Sequence, residues 1–167
     1  MALSKKSVYQ WLNQHFARSV ESKALSHLFS RVTDDLTNVT TSTYTVLDSD
    51  NLITLNRAAG IAVTLPAATG SGRKIKFVVG TSITSNTTTL TCAGSDKMQG
   101  FALAFQDDAS ALGGFGAVAG TSTVFTMDGS TRGGYAGDVV EITDVAAARW
   151  QVEFVGKQTG TEATPFS

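Results

Sequence analysis

Charge is what this sequence has least of. Only 16% of its 167 residues are Asp, Glu, Lys or Arg, against roughly 25% in an ordinary soluble domain. Thirteen basic and fourteen acidic residues leave a net charge of −1. That removes the global electrostatic case for nucleic acid, which calls for a clear basic excess. A surface poor in charge and rich in Thr, Ser, Ala and Gly suits a chain that is largely covered in its working state. Cysteine is scarce too. Cys92 alone excludes an intrachain disulfide framework and any multi-cysteine metal site, and its strand-like setting reads as a buried structural thiol. Long apolar runs are missing: nothing approaches the roughly 20 residues of a membrane span. Tyr9, Gln10, Trp11, Asn13, Gln14 and His15 interrupt any signal-peptide core behind Lys5 and Lys6. The expectation is a protein made in a cytoplasm, with no membrane partner.

What is present divides in two. Residues 1–33 carry a net charge of +4 and residues 34–167 a net charge of −5, so a basic arm precedes an acidic body. Over residues 1–36 the arm reads as an amphipathic helix. Ser7 and Gln10 have the form of a capping box, with Ser4 as an alternative cap. Val8, Trp11, Leu12 and His15/Phe16 fall on one helical face, and Leu25, Leu28, Phe29 and Val32 repeat the spacing. The two sets are out of phase across Ser19–Ser22, which predicts a break or kink. Such an arm cannot bury its stripe alone. Trp11, Leu12, Phe16, Leu28 and Phe29 are the candidate anchors, and Lys5, Lys6, Arg18, Lys23 and Arg31 the candidate contacts to an acidic partner surface.

From Thr43 to Ser167 the period changes to two. Thr43–Leu47, Ile61–Leu65, Arg73–Val79, Thr87–Cys92, Thr123–Met127, Asp138–Thr143 and Arg149–Val155 read as strands rich in β-branched and aromatic residues. Phe77, Val78 and Val79 look like a strand buried on both sides. Turn clusters at Asp48–Asn51, Ala67–Gly72 and Asp128–Gly134 predict an antiparallel β-sandwich or barrel of jelly-roll type. Gly113, Gly114, Gly116 and Gly120 within Ala102–Gly120 suggest a long loop or a close backbone contact between subunits.

Catalytic constellations are hard to assemble. His15 and His27 lack any metal-ligand spacing. Asp34-Asp35 and Asp107-Asp108 are sequence neighbours whose carboxylates diverge, whereas general acid–base work needs two groups in one cleft. Gly70-Ser-Gly-Arg-Lys74 resembles a phosphate-cradling loop, but a strand follows it where a helix N-terminus is required. It reads as a hairpin turn. Asp48, Asp50 and Asn51 offer oxygens at calcium-loop spacing without the following Gly or distal Glu. Asn38-Val-Thr40 and Asn86-Thr-Thr88 match the glycosylation triplet by chance in a chain without a secretory signal. No enzyme activity, cofactor or metal is expected.

Three stretches resemble virion structural proteins of tailed bacteriophages. The first is the strand–turn–strand Ile61–Gly80, with Thr64-Leu-Pro-Ala-Ala-Thr-Gly-Ser-Gly72 and Phe77-Val-Val-Gly80. The second is Ile83–Asn86, and the third is Trp150–Gly156 followed by Thr159–Ser167. Together they cover most of residues 43–167 and leave the arm unmatched. Pro66 suits a strand end, and Gly70 and Gly72 suit the positive φ of a tight turn. The likeness is greatest to capsid decoration, or cement, proteins. It implies a homotrimer on the outer capsid surface, bound to the major capsid protein and stabilising contacts between its subunits. It also implies no direct contact with nucleic acid. The alternative it implies is a short tail or head fibre whose loops, with Phe115 and Tyr135, bind a host surface glycan.

Overall fold

The computed structural model describes residues 36–106, 112–118 and 120–167. The expected helical arm, with its kink, lies outside the described residues apart from Leu36, which opens a strand. The chain divides into compact units at Asp34 and Asp35, and the described part is the second unit.

That unit is mainly β. Eleven strands follow one another: β1 Leu36–Val39, β2 Thr43–Thr45, β3 Leu52–Leu55, β4 Ala62–Thr64, β5 Lys74–Val79, β6 Thr88–Thr91, β7 Lys97–Gln106, β8 Leu112–Gly116, β9 Val124–Met127, β10 Val139–Ala146 and β11 Arg149–Gln158. They form a seven-stranded sheet in the order β1-β3-β5-β10-β11-β7-β8 and a four-stranded sheet in the order β2-β4-β6-β9. The seven strands expected from period-two patterning are all present. β1, β3, β7 and β8 are additional, and the stretch from Ala102 is strand rather than long loop up to Gln106 and again over Leu112–Gly116.

The sheets are mixed, not antiparallel. From β1 to β7 the chain changes sheet at every connection. The next strand in a given sheet therefore arrives after a full circuit and runs in the same direction as its predecessor. Leu36 sits opposite Leu52, and Leu52 opposite Lys76, in parallel register. Thr43 likewise faces Ala62, and Ala62 faces Thr89. A strand in the opposite sheet does the work that a crossover helix does in α/β folds. Ala67–Gly72 is accordingly not a hairpin turn. It carries the chain from β4 in one sheet to β5 in the other, although Gly70 and Gly72 do adopt positive φ. Antiparallel pairing enters late, where the β10–β11 hairpin inserts between β5 and β7 and β9 flanks β6.

Inward rows from both sheets make one core. Ile53, Ile75, Phe77, Ile142, Trp150, Val152 and Phe154 from the larger sheet meet Val63, Leu90, Phe125 and Met127 from the smaller. The Phe125 ring lies 5.4 Å from Phe154 across the gap and 5.2 Å from Phe166 of the C-terminal segment. Each such buried large side chain is worth about 1.5–3 kcal/mol. Val78 is only half-buried between buried Phe77 and Val79, so β5 has one core face rather than two.

Candidate protein-interaction surface

The two loops whose sequences suggested ion binding satisfy themselves internally. The amides of Gly70 and Ser71 do converge on an anion, and it is the carboxylate of buried Asp144. Gly70 N donates at 2.7 Å and Ser71 N at 2.9 Å, with further bonds from Thr69 N and the Thr69 and Ser71 hydroxyls. Burial pushes the Asp144 carboxyl up, but these donors outweigh it and hold the group well below the ordinary carboxylate range. In the other loop the carbonyls of Leu47 and Asp50 accept from the Arg73 guanidinium, which also lies 3.7 Å from Asp48. The Asp50 carboxylate accepts from Thr37 Oγ1, Tyr44 OH and Leu47 N. Burial first, and the neighbouring Asp50 second, push the Tyr44 phenol up to about 12. Asp138 repeats the pattern with the amides of Gly134, Tyr135 and Lys157, and Asp128 with those of Ser130 and Arg132. Buried or half-buried aspartates thus hold the corners at which the chain changes direction. Among the described residues no group of His, Cys, Asp and Glu side chains has the arrangement of a metal site. Cys92 is buried, and that burial lifts its thiol to about 11, far from a reactive thiolate.

The unusual surface lies on the outer face of the larger sheet. Strand β7 inverts the ordinary pattern: Ala102 and Ala104 point into the core at 0% exposure, while Phe101 and Phe105 point outward, Phe105 at 62%. Neighbouring strands explain the inward alanines. In register, Ala102 lies between Phe154 of β11 and Phe115 of β8, whose rings fill the space that a larger residue on β7 would need. Gly100 is smaller still for a stricter reason. Its φ is +123°, and a Cβ there would sit 2.0 Å from the carbonyl oxygen of Val152.

No such requirement puts phenylalanine outside. The outward row Val78–Val139–Val155–Leu103–Gly114 crosses five strands in register. Phe101 and Phe105 flank it on β7, and Leu112 on β8 is 58% exposed beside Phe105. Charge meets the band on its β11 side: Glu153 lies opposite Phe101 and Lys157 opposite Phe105, Lys74 and Glu141 pair at 2.7 Å, and Lys157 sits over the Tyr135 ring at 5.3 Å. From Met98 to Gln106 and from Leu112 to Met127 no residue is charged. Exposed large apolar side chains gathered on one face are the kind of feature found at contact surfaces.

The candidate anchors Trp11, Leu12, Phe16, Leu28 and Phe29, and the cations Lys5, Lys6, Arg18, Lys23 and Arg31, lie outside the described residues. Of the aromatics expected at a glycan site, Phe115 packs against the core and the Tyr135 hydroxyl pairs with Thr159 Oγ1 at 2.8 Å. Reading the sequence marked Ala102–Gly120 as a long loop or a contact between subunits but missed that Phe101, Phe105 and Leu112 face outward. The signal was the large–small–large alternation Phe101-Ala-Leu-Ala-Phe105, whose sense is settled only by knowing which side is the core. Comparisons with protein-family models, with curated proteins and with solved structures yield no match.

Proposed function

We propose that this chain is a structural component of a tailed-bacteriophage virion. In this reading it is a capsid decoration protein whose β-sandwich body and helical arm bind the outer capsid surface as a homotrimer and brace contacts between major capsid subunits. The observation that carries the reading is the outward apolar surface of β7 and β8, continued by Val155 of β11: a strand that keeps alanines for its core and phenylalanines for its surface is built to be covered. The resemblance of Ile61–Gly80 and Trp150–Ser167 to phage virion proteins supplies the setting. The mechanism is mechanical rather than chemical. Each copy adds buried area across a joint between shell subunits, on the order of 1,600 Å² for a standard interface, and symmetry repeats that gain around the shell. Under this proposal the basic arm supplies attachment and the β-body supplies contacts between copies.

Quantitative protein staining of purified particles tests the role. Hundreds of copies per particle are expected; a few tens or fewer would sink decoration and favour a short fibre that binds a host glycan. Removing residues 1–33 tests the attachment. The shortened chain is expected to lose binding to undecorated heads, and full saturation by it would show that the arm is not the anchor.

A further inference from the structure

Strand β8 is the last strand of the larger sheet, and among the described residues nothing pairs with its far edge. The smaller sheet treats one of its edges differently. Along β9, Val124 N donates to Ser167 O and Thr126 N to Pro165 O, so the C-terminal segment covers that edge. Open edges are normally protected by charge, proline or a bulge. Leu112-Gly-Gly-Phe-Gly116 has no charge and no proline, and its pairing with β7 runs without a bulge.

Among the described residues nothing accounts for the glycines of β8. None has a positive φ. A Cβ at Gly116 would meet nothing within 4 Å, and one at Gly114 only Leu103 Cδ2 at an ordinary 3.7 Å. At Gly113 it would meet only the movable end of Gln106. Glycine within a strand weakens it unless another backbone or ligand must come close. Among the described residues no such close neighbour is present, which leaves the edge open to a second chain.

The sequence of the strand identifies that neighbour. We propose that β8 pairs antiparallel with β8 of a second copy of this chain, about a two-fold axis through Gly114. Ala117 N donates to Gly100 O, so by antiparallel alternation residues 113, 115 and 117 bond towards β7. The amides and carbonyls of Leu112, Gly114 and Gly116 then face the open edge. Centring the pair on Gly114 matches those groups with their counterparts in the second copy. It also sets Leu112 opposite Gly116 of the second copy, and Phe115 opposite Gly113 of the second copy. Every large side chain therefore meets a glycine. The outer row becomes Phe105, Leu112, the second copy's Gly116 and its Phe101, which joins the two apolar bands into one. Neither strand carries a charge to repel its mate. A two-fold contact of this kind doubles whatever assembly the rest of the chain forms. It stands whether or not the capsid reading does: a trimer becomes a hexamer, and a monomer becomes a dimer.

Two measurements on the full-length chain test it. Gly114→Pro removes an edge amide that the fold itself does not use, so the variant stays folded. Its mass by light scattering is expected to fall two-fold from that of the parent. Gly114→Cys places two thiols across the axis, at a Cα separation of about 5.5 Å, within disulfide range. Leu112→Cys leaves its two thiols more than about 13 Å apart along the strands. Under mild oxidation the first is expected to cross-link at least about ten-fold faster than the second, against a parent whose only thiol is buried. An unchanged mass in Gly114→Pro, together with equal cross-linking of the two cysteine variants, overturns the proposal.

Discussion

At the scale of single residues the fold is held by carboxylates used as caps. Asp144 is a charge buried at 2% exposure, tolerable only because backbone amides and hydroxyls surround it. Replacing it with Asn exchanges one acceptor oxygen for an NH2 donor that faces other donors and leaves several of them unmatched. The expected loss is about 3 kcal/mol, read from the shift of the urea midpoint. The pH dependence has a definite sign. A carboxyl depressed by folding contributes stability that is present above its ordinary range and lost as pH falls through its folded value. Acid unfolding of the parent should therefore steepen below the ordinary carboxylate range, and Asp144→Asn should flatten that limb. Tyr44 acts at the other end of the scale. Its phenol, lifted by burial and by Asp50 to about 12, contributes stability that is present below pH 10 and lost as pH rises from 10 through 12. Tyr44→Phe should remove that alkaline loss at a cost near neutral pH of about 1 kcal/mol for the bond to Asp50. Ultraviolet titration of the phenolate in the parent checks the same group directly.

At the scale of elements, the strands most legible in the sequence were those whose large apolar residues face inward. β5, β10 and β11 announce themselves because Ile75, Phe77, Val140, Ile142, Trp150, Val152 and Phe154 alternate with polar neighbours. β7 carries the reverse pattern, and β8 is mostly glycine, so neither stands out by propensity. β1 and β3 are four-residue strands beside turn-like residues. Strand direction could not be read at all, because period-two alternation is the same in parallel and antiparallel ladders. The site fared likewise. Its members are scattered over β7, β8 and β11, and only the register brings them together. The β7–β11 pairing also has a weak point that can be tested. Gly100→Ala would drive a methyl group into the Val152 carbonyl at a φ that alanine rarely adopts. The expected destabilisation is about 3 kcal/mol or more, measured by denaturant titration; a change below about 0.5 kcal/mol would show that the two backbones are not in close contact.

At the scale of the whole β-unit, the governing feature is its winding between two sheets. Partners such as Thr43 and Ala62, or Ala62 and Thr89, must close a circuit before any ladder bond forms, and closing loops slows folding. Stopped-flow refolding of the parent should therefore take milliseconds to seconds. Full recovery of native tryptophan fluorescence within microseconds would contradict the winding.

The parallel register of β1 on β3 and of β3 on β5 also has a mechanical meaning. Hairpin partners pulled from their open ends unzip, and each hydrogen bond breaks in turn under little force. A strand drawn along its own axis past a parallel neighbour loads the whole ladder in shear, and the bonds must fail together. Tension entering at Leu36 meets that arrangement first. Resistance to pulling is then a property of the direction in which the chain is wound, and it can be high even where equilibrium stability is ordinary.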